Sequence, residues 1–414
     1  MRSIISFVLT LSIFISSAPT VSADTVSMET KIVELQEYLA RTIDSNAGTP
    51  LSDTELRTLI KTGAAWLVNA QQPNGRFRYE FFPYEDRYGG DDNIVRQTGA
   101  LFALTEILRH DKTDTLHIAK TAHEAIAHFE RISKKGEQNG QSFRCITVNS
   151  ASTKCELGAT ALALASIIGY VEHAPANTSE VRDLISDYRA FILAMQKRNG
   201  GFQNSYLIGR SSQSDAESPF SNGEALLALT RLYNYKSDSE VKDAIEEALA
   251  YLVEKPYDSA LYLWIMAALK EVDDIDVRLQ NTAYVRDFTL WRLEHGATLH
   301  NSNKNFCAYT EGLVSALSLL KDRVPQNVYD RVQREVEFGL RKNRALQVTD
   351  NDVTRAFIGT NGLEIISFTR PLRAVGGFLT GEAERSQRID YTQHCVNAYV
   401  QMIGDVRGLS VVER

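Results

Sequence analysis

The sequence of 414 residues contains few of the residues that mark non-globular proteins, with only 9 Pro, 24 Gly and 4 Cys. So small a share excludes a collagen-like, a low-complexity or a small disulfide-stapled protein. An excess of positive charge is also missing, because 45 Lys and Arg stand against 52 Asp and Glu and give a formal net charge of -7. We therefore predict that the protein does not bind nucleic acid. With 43% hydrophobic and 23% charged residues, the composition is that of an ordinary globular protein.

Long hydrophobic runs are scarce as well. The apolar run from Ile4 to Ile15 is shorter than the roughly 20 residues that a membrane-spanning helix needs. It follows a basic start and precedes Val21-Ser22-Ala23, which has the small residues of a cleavage site. This order is typical of a signal peptide, so we predict that residues 1–23 are removed. We expect the mature chain, residues 24–414, to lack a membrane span and to be exported to the periplasm or secreted.

The predicted export to an oxidising compartment favours disulfide bonds between the four cysteines. Cys145 and Cys155 flank a polar loop and suit a local disulfide, and Cys307 and Cys395 would form a second, long-range bridge. A zinc site made by the latter two cysteines and His394 is the alternative. Because their spacing matches no C-x-x-C motif, we predict no metal ion, and we predict no cofactor.

A sequence repeat organises the chain. The pattern Q-x-x-x-G-x-F occurs at Gln71–Phe77 and at Gln196–Phe202, and Gly376–Phe378 keeps only its glycine and aromatic residue. Each full copy follows an apolar-periodic segment, Leu59–Ala70 or Val181–Met195, and each is followed by a polar loop and a helix of small residues. Internal repeats of this kind predict a fold built from similar helical units.

Two kinds of predicted helix alternate along the chain. One kind is rich in Ala, Gly and Leu around most of its circumference, as expected of helices buried on nearly all sides. The other kind has one apolar stripe and one charged face. The first kind comprises Arg96–Leu104, Glu156–Leu164, Asn222–Leu229, Asp258–Leu269, Tyr309–Leu319 and Tyr391–Met402; further members of the second are Asp114–Ile132, Val241–Val253, Val277–Leu293 and Asn327–Arg341. With almost no strand signals, the alternation predicts an all-α (α/α)6 toroid of inner and outer helices, with the mature chain as a single domain.

In such a toroid the loops that lead into the inner helices gather around one funnel, where a ligand pocket is expected. The first of these loops combines aromatic, acidic and basic side chains, as sugar-binding sites do. We therefore predict that this loop binds a carbohydrate, while capping of the next helix is the structural alternative for Asp92. The candidate residues of this loop are Tyr79, Tyr84, Asp86, Asp92, Arg96 and Gln97.

Carboxylates recur at the starts of later inner helices. Glu224 lies one turn into an otherwise apolar helix, where burial would raise its pKa toward the range of a general acid. Glu156 and Glu311 occupy comparable positions, and Asn222 and Tyr309 stand close to them in sequence. These side chains either satisfy helix N-termini or build a catalytic pair, and the sequence leaves both possibilities open.

The entrance to the last inner helix, Arg388 to His394, holds a further candidate cluster. Asp390 and His394 are four residues apart and share a helix face, which would let the aspartate orient the imidazole of a general base. Tyr391 and Arg388 stand beside them. A purely structural hydrogen bond between Asp390 and His394 is the alternative.

These residues resemble two groups of toroid proteins. The Q-x-x-x-G-x-F copies resemble the QW motifs of squalene-cyclase and prenyltransferase toroids, in which the Gln and the aromatic residue tie neighbouring helices together. Gln196–Phe202, Asn222–Tyr233 and Arg388–His394 resemble segments of the C-terminal domain of D-glucuronyl C5-epimerases. That second resemblance implies proton abstraction at C5 of a uronic acid, with Arg388 or Arg96 holding the carboxylate and Tyr391, Glu224 or His394 as base.

We therefore expect an exported enzyme that acts on a poly- or oligosaccharide as a glycoside hydrolase, a lyase or a uronyl epimerase. A hydrolase would need two carboxylates, for which Asp92 and Glu224 are the candidates. A non-catalytic toroid that binds a glycan or a peptide is the alternative, and the oligomeric state is left open. The predicted catalytic residues are Asp92, Glu224, Asp390, Tyr391 and His394; the predicted binding residues are Tyr79, Tyr84, Asp86, Arg96, Gln97, Glu156, Asn222, Tyr309, Glu311 and Arg388.

Overall fold

The computed structural model of the protein describes residues 31–39, 48–111, 114, 117–174, 178–209, 212–213, 216–273, 282–296, 304–352, 354–359, 362–382 and 384–412. The predicted signal peptide, residues 1–23, and the start of the predicted helix Val277–Leu293 lie outside these residues. The assignment of residues 24–414 to one domain stays a prediction.

The described chain is mainly helical. Residues 31–39 form a helical segment that precedes the helices labelled here. The labelled helices are α1 (Asp53–Ala70), α2 (Ile94–His110), α3 (Ile118–Ile132), α4 (Leu157–His173), α5 (Thr178–Ala194), α6 (Pro219–Tyr235), α7 (Ser239–Val253), α8 (Ser259–Asp273), α9 (Thr282–Gly296), α10 (Cys307–Leu320), α11 (Gln326–Arg344), the short α12 (Pro371–Ala374) and α13 (Ile389–Gln401).

Six of these helices form a closed inner ring. Along the ring α2 packs on α4, α4 on α6, α6 on α8, α8 on α10, α10 on α13, and α13 returns to α2. The remaining long helices, α1, α3, α5, α7, α9 and α11, pack outside them. All six predicted inner helices belong to this ring, so the predicted (α/α)6 toroid is confirmed.

Small residues allow the inner helices to approach one another closely. A Cβ atom at Gly223 would stand 2.5 Å from the Cβ atom of Trp264 on the neighbouring helix α8, and one at Gly312 would stand 2.9 Å from the ring of Tyr262. Such distances are too short for side-chain carbon atoms, so only glycine fits at these contacts. The Ala- and Gly-rich composition of the inner helices therefore reflects their packing on both neighbours.

The repeated turns connect neighbouring outer helices. Nε2 of Gln196 donates hydrogen bonds to the carbonyl of Gly200 within its own turn, at 3.3 Å, and to the carbonyl of Ala244 in α7, at 2.8 Å. Gln71 makes the same pair of bonds, the second to Thr121 of α3 at 2.8 Å. Gly200 has a φ of +91° and lies against the backbone of α7, where a side chain would collide. The Gln therefore ties adjacent helices together, as the resemblance to QW motifs implied.

The third copy of the repeat has its own Gln, which the sequence pattern did not reveal. Gln347 pairs with Phe378 as a β-bridge, and its Nε2 donates to the carbonyls of Gly376 and Leu59, both at 3.0 Å. Since Leu59 belongs to α1, this turn joins the last outer helix to the first. Residues 348–375, inserted between the Gln and the Gly, hid the copy from a search for a fixed spacing.

Ten short antiparallel strands lie in the connections between helices of the described chain, although the sequence has almost no strand signals. They were missed because each has only two to six residues. The strands are β1 (Glu80–Phe82), β2 (Arg87–Tyr88), β3 (Ser133–Gln138), β4 (Gln141–Ile146), β5 (Lys154–Glu156), β6 (Ser205–Leu207), β7 (Ser212–Gln213), β8 (Thr354–Gly359), β9 (Gly362–Ser367) and β10 (Gln387–Arg388). The sheet β10-β1-β2 pairs Glu80 with Arg388, which brings the first loop beside the start of α13.

Both predicted disulfides are present. Cys145–Cys155 joins β4 to β5, and Cys307–Cys395 joins the inner helices α10 and α13. The second bridge engages both sulfur atoms that the zinc alternative requires, and no group of three or more metal-binding side chains occurs among the described residues. None of the helices within the described ranges is long and apolar enough to cross a membrane.

An ionic cluster, made of Glu106, Arg109, Arg231 and Glu271, lies at the C-terminal ends of three inner helices, α2, α6 and α8. We call it the buried ionic cluster. Arg231 is only 2% exposed and donates to Glu106 and to Glu271, each at 2.6 Å. Arg109 donates to Glu271 at 2.9 Å. Burial alone would raise the pKa of Glu106, but the charges of Arg231 and Arg109 outweigh it and lower that pKa. The cluster therefore consists of ionised, mutually paired groups.

Candidate functional site

A cavity of about 380 Å³ opens at the N-terminal ends of the inner helices, opposite the buried ionic cluster. Every inner helix contributes to its wall, so the cavity lies on the axis of the ring. One representative from each of the six helices, in chain order, is Arg96, Leu162, Glu224, Trp264, Tyr309 and His394. The cavity is therefore the funnel that the sequence predicts.

Glu224 places a carboxyl group in the wall of this cavity. The residue is 3% exposed, and the described part of the chain provides no hydrogen bond or ion pair for its carboxyl group. Its Oε2 lies against Gly158 of the neighbouring helix α4, where the missing side chain leaves room for it. Burial raises the pKa of Glu224 to about 8. The group is therefore mainly protonated at neutral pH and able to donate a proton, as its position in the sequence suggested.

His394 lines the same cavity and is oriented by a second carboxylate. Its Nδ1 lies 2.6 Å from Oε2 of Glu311, which is 1% exposed and also accepts a hydrogen bond from Asn397 at 3.1 Å. Because a carboxylate accepts hydrogen bonds, Nδ1 carries the hydrogen, and Nε2 of the neutral imidazole is left as a proton acceptor. The predicted orientation of His394 by Asp390 is wrong, since Glu311 from helix α10 takes that role.

Asp390 is instead held by two arginines. Its carboxylate lies 3.1 Å from Nε of Arg96 and accepts a bond of 2.9 Å from Nε of Arg388. The phenol of Tyr79 accepts a hydrogen bond from Arg96, and both guanidinium groups lie over its ring. Burial and the nearby Asp390 raise the pKa of Tyr79. Arg96 and Asp390 line the cavity, so this cluster forms a charged part of its wall in which two guanidinium groups share one carboxylate.

Aromatic side chains that the sequence did not single out complete the wall. The ring of Trp264 lies 6.0 Å from the imidazole of His394, and Phe220 lines the cavity although it is 53% exposed. An exposed aromatic ring at a cavity is a surface on which the apolar face of a sugar can stack. Trp264 could have been noted from the sequence as one of only three tryptophans, placed in a predicted inner helix.

Several predicted residues hold the turns in place rather than line the cavity. The side chain of Gln97 accepts a hydrogen bond of 2.9 Å from the N–H of Phe77, and Asn222 accepts one of 2.8 Å from the N–H of Phe202. In both cases an inner helix holds the aromatic residue of a repeated turn, 20 positions earlier in the chain. Gln97 and Asn222 are therefore equivalent structural residues of the repeat.

The acidic residues of the first two entrances are also engaged outside the cavity. Asp92 lies 2.6 Å from Arg76 and accepts a bond of 2.7 Å from Gln97. Glu156 pairs with Lys154 at 2.8 Å. The structure therefore does not bring the candidate pair of Asp92 and Glu224 together. Of these two residues, only Glu224 lines the cavity.

Three further candidates support the rim. Asp86 pairs with Arg370 and Arg373, each at 3.1 Å, and so joins the first loop to α12. The ring of Tyr84 packs on Phe368 at 4.7 Å, and Tyr391 packs against the guanidinium of Arg388 at 4.8 Å. These contacts fix the loops around the cavity, and none of the three side chains lines it.

The two concentric rings and the cavity on their axis define the protein as an (α/α)6 toroid. No protein-family model matches the sequence, and no curated protein is significantly similar to it. Solved structures match the fold over most of the chain. A sugar epimerase from a ruminal bacterium has a TM-score of 0.60 at 11% identity, covering 87% of this chain and 100% of its own.

Two further structures show the range of similar proteins. Cellobiose 2-epimerase from Bacillus thermoamylovorans has a TM-score of 0.58 at 12% identity, over 88% of this chain and 99% of its own. A GH76 α-mannanase from Bacteroides thetaiotaomicron has a TM-score of 0.53 at 8% identity, over 88% of this chain and 99% of its own. At such low identity the likeness shows a shared fold. The local resemblance to D-glucuronyl C5-epimerases stays a prediction.

Proposed function

We propose that the protein is an exported carbohydrate-active enzyme that transfers protons on a sugar bound in the axial cavity. Glu224 acts as the general acid and His394 as the general base. The observation that carries the proposal is the presence of both groups in the wall of one cavity, the first with a pKa raised by burial to about 8 and the second hydrogen-bonded to Glu311. A proton donor and an oriented proton acceptor that face the same bound molecule are what acid–base catalysis requires.

The combination of a carboxyl group, Glu224, and an imidazole, His394, favours epimerase or lyase chemistry over hydrolysis. Glycoside hydrolases generally use two carboxyl groups on either side of the scissile bond. Of the two carboxyl groups in the cavity wall, Asp390 is bound by Arg96 and Arg388, and only Glu224 has no partner among the described residues. Asp92, the other candidate, lies outside the wall. An imidazole and a protonated carboxyl group suit removal of a proton from carbon on one side and protonation of an oxygen or carbon on the other.

Other features support a sugar substrate and export. Trp264 and Phe220 provide rings on which a sugar can stack, and the solved structures of similar fold include sugar epimerases and a mannanase. Two disulfides and an N-terminal segment of signal-peptide pattern agree with export, because disulfides persist in oxidising compartments.

The proposal is tested by incubating the purified mature protein with neutral and acidic oligosaccharides in D2O. Deuterium uptake at carbon, absorbance from unsaturated uronates and release of reducing ends separate epimerase, lyase and hydrolase activity. We expect deuterium uptake, and we expect Glu224→Gln and His394→Asn each to lower the rate at least ~100-fold. Glu156→Gln is the matched control, because it neutralises a carboxylate outside the cavity.

Two outcomes would contradict the proposal. Turnover that is unaffected by Glu224→Gln and His394→Asn would place the chemistry elsewhere. Binding of a glycan without turnover of any substrate in the panel would support the non-catalytic toroid instead.

A further inference from the structure

Arg292 is a cation that enters the cavity from the outer ring. It belongs to helix α9, yet it lines the cavity, which is otherwise built by the inner helices and their entrances. Gly296, one turn further along α9, lies close to the ring of Tyr309, so α9 approaches α10 closely. This close approach lets the long side chain of Arg292 reach between α8 and α10.

The guanidinium of Arg292 is positioned but not neutralised. It lies 4.5 Å from the centre of the Tyr309 ring, and the hydroxyl of Tyr309 donates to Glu335 at 2.9 Å. The buried Nε of Arg292 has no hydrogen-bond partner, and no carboxylate within the described ranges lies within 4.0 Å of its guanidinium. Burial lowers the pKa of Arg292, and the nearby Tyr309, Tyr262 and Glu335 oppose this effect only in part. A partly buried arginine without a directly bonded carboxylate is unfavourable unless a ligand supplies the negative charge.

The other charged groups of the cavity do not provide that charge. Asp390 is shared by Arg96 and Arg388, and Glu224 is mainly uncharged at neutral pH because of its raised pKa. Glu311 and Glu335 lie behind the wall, where His394 and Tyr309 bond to them, and neither lines the cavity. Among the lining residues, Arg96 and Arg292 are positive and Asp390 is negative. The lining therefore has one positive charge in excess, although the whole protein has a net charge of -7.

We infer that the substrate of this cavity is a sugar with an anionic oxygen group, a carboxylate or a phosphate or sulfate ester, and that Arg292 binds this group. The inference rests on the proposed function and specifies its substrate class. The planar guanidinium offers two parallel N–H groups, which suits the paired oxygen atoms of such anions. The Tyr309 ring beneath it fixes the orientation of the pair.

The test compares binding of matched ligands by titration calorimetry. D-glucuronate, D-mannuronate and D-galacturonate are each paired with their uncharged methyl esters, and glucose 6-phosphate and glucose 6-sulfate are paired with glucose. We expect at least one anion to bind roughly tenfold or more tightly than its neutral partner, because a charge-assisted pair is lost in the latter. The pair of ligands that shows this preference identifies the anionic group as a carboxylate, a phosphate ester or a sulfate ester.

Variants then assign the preference to Arg292. We expect Arg292→Gln to abolish the preference for the anionic ligand and Arg292→Lys to retain part of that preference. Tyr309→Phe should retain the preference because the aromatic ring remains. Arg286→Gln is the matched control, since Arg286 is on the same helix but is exposed and paired with Asp287 at 2.7 Å. Thermal melts verify that each variant folds, and Arg292→Lys keeps the test valid if the Gln variant does not.

The outcomes separate the inference from the proposed function. Glu224-dependent turnover of neutral sugars, with no preference for anions, overturns the inference and leaves the proposed function in place. A preference for anions that persists in Arg292→Gln and Arg292→Lys overturns the role of Arg292. Preferential binding of an anion through Arg292 without any turnover supports the inference as a binding specificity and overturns the catalytic proposal.

Discussion

The carboxylate of Glu224 lies directly against the backbone of Gly158, the second residue of the adjacent inner helix. A Cβ atom at position 158 would overlap Oε2 of Glu224. The position of the proposed acid therefore depends on the absence of a side chain on the neighbouring helix.

Gly158→Ala is expected to displace the carboxyl group of Glu224 and to lower the rate of turnover at least ~10-fold, since a small misplacement of a catalytic group is costly. The fold should survive, because alanine favours a helix over glycine by about 1 kcal/mol. Steady-state kinetics and thermal melts measure both effects. Gly90→Ala is the control, as a Cβ atom there meets nothing within 4 Å; an equal loss of rate in both variants would contradict the prediction.

Glu224 should also cost the protein stability in a pH-dependent way. Its pKa rises from an ordinary value of 4.5 to about 8 on burial, so between these values the unfolded chain releases a proton that the folded protein keeps. The contribution of this group to stability is therefore fully present below pH 4.5 and is lost as the pH rises toward 8, by about 3 kcal/mol at pH 7. Urea unfolding of Glu224→Gln at about pH 5 and 8 should show a gain relative to wild type that grows with pH. A gain independent of pH would mean that the carboxyl group is not perturbed.

The rate should depend on pH in the same range. If Glu224 must be protonated to donate a proton, kcat falls as the pH rises through about 8. The profile of kcat against pH, measured between about pH 6 and 10, should show this descending limb. The Glu156→Gln variant should retain the limb, and a flat profile across this range would exclude Glu224 as the acid.

Closure of the outer ring should depend on Gln347. Its side chain is buried and donates to two backbone carbonyls, of Leu59 and Gly376. Gln347→Ala leaves both acceptors without this donor, which we expect to cost about 3 kcal/mol of unfolding free energy. Chemical denaturation measures the loss. Gln326→Ala, on the exposed start of α11, should change stability by less than about 0.5 kcal/mol; similar losses in the two variants would refute the special role of Gln347.

Removing Arg231 should destabilise the folded protein, because the buried ionic cluster then lacks one of its positive charges. Arg231→Met leaves Glu106 and Glu271 with one partner fewer in the interior, which we expect to cost about 3–5 kcal/mol. The surface change Arg286→Gln should cost less than about 1 kcal/mol. Because the cluster lowers the pKa of both carboxyl groups, its contribution to stability is present above pH 4.5 and is lost as the pH falls. Acid unfolding that is identical in Arg231→Met and wild type would contradict this account.

The ring of helices was predictable because it depends on periodic composition. Small apolar residues on every side of a helix leave it no exposed face, and six such helices alternating with amphipathic ones fit only a double ring. Glu224 was predictable for a related reason, since a carboxyl group in an apolar helix must be buried. The third turn was recognised only from its glycine and aromatic residue, because residues 348–375 separate its Gln from its Gly.

Contacts between distant segments could not be predicted in the same way. The spacing of Asp390 and His394 suggested a pair on one helix face, but the imidazole bonds to Glu311, 83 residues earlier in the chain. Asp390 bonds instead to Arg388, two residues earlier, and to Arg96 of α2, the inner helix on which α13 packs to close the ring. Arg292 was not predicted as a site residue because it belongs to an outer helix, and only the entrances of the inner helices are expected to face the funnel.

The buried ionic cluster has a consequence for how substrates travel. Arg231 and its acidic partners are buried between helices α2, α6 and α8 at the C-terminal end of the ring. We therefore expect the proposed sugar ligand to enter and leave between the N-terminal ends of the inner helices, where the cavity opens. A molecule already bound there would have to leave by the same mouth before the next one could enter.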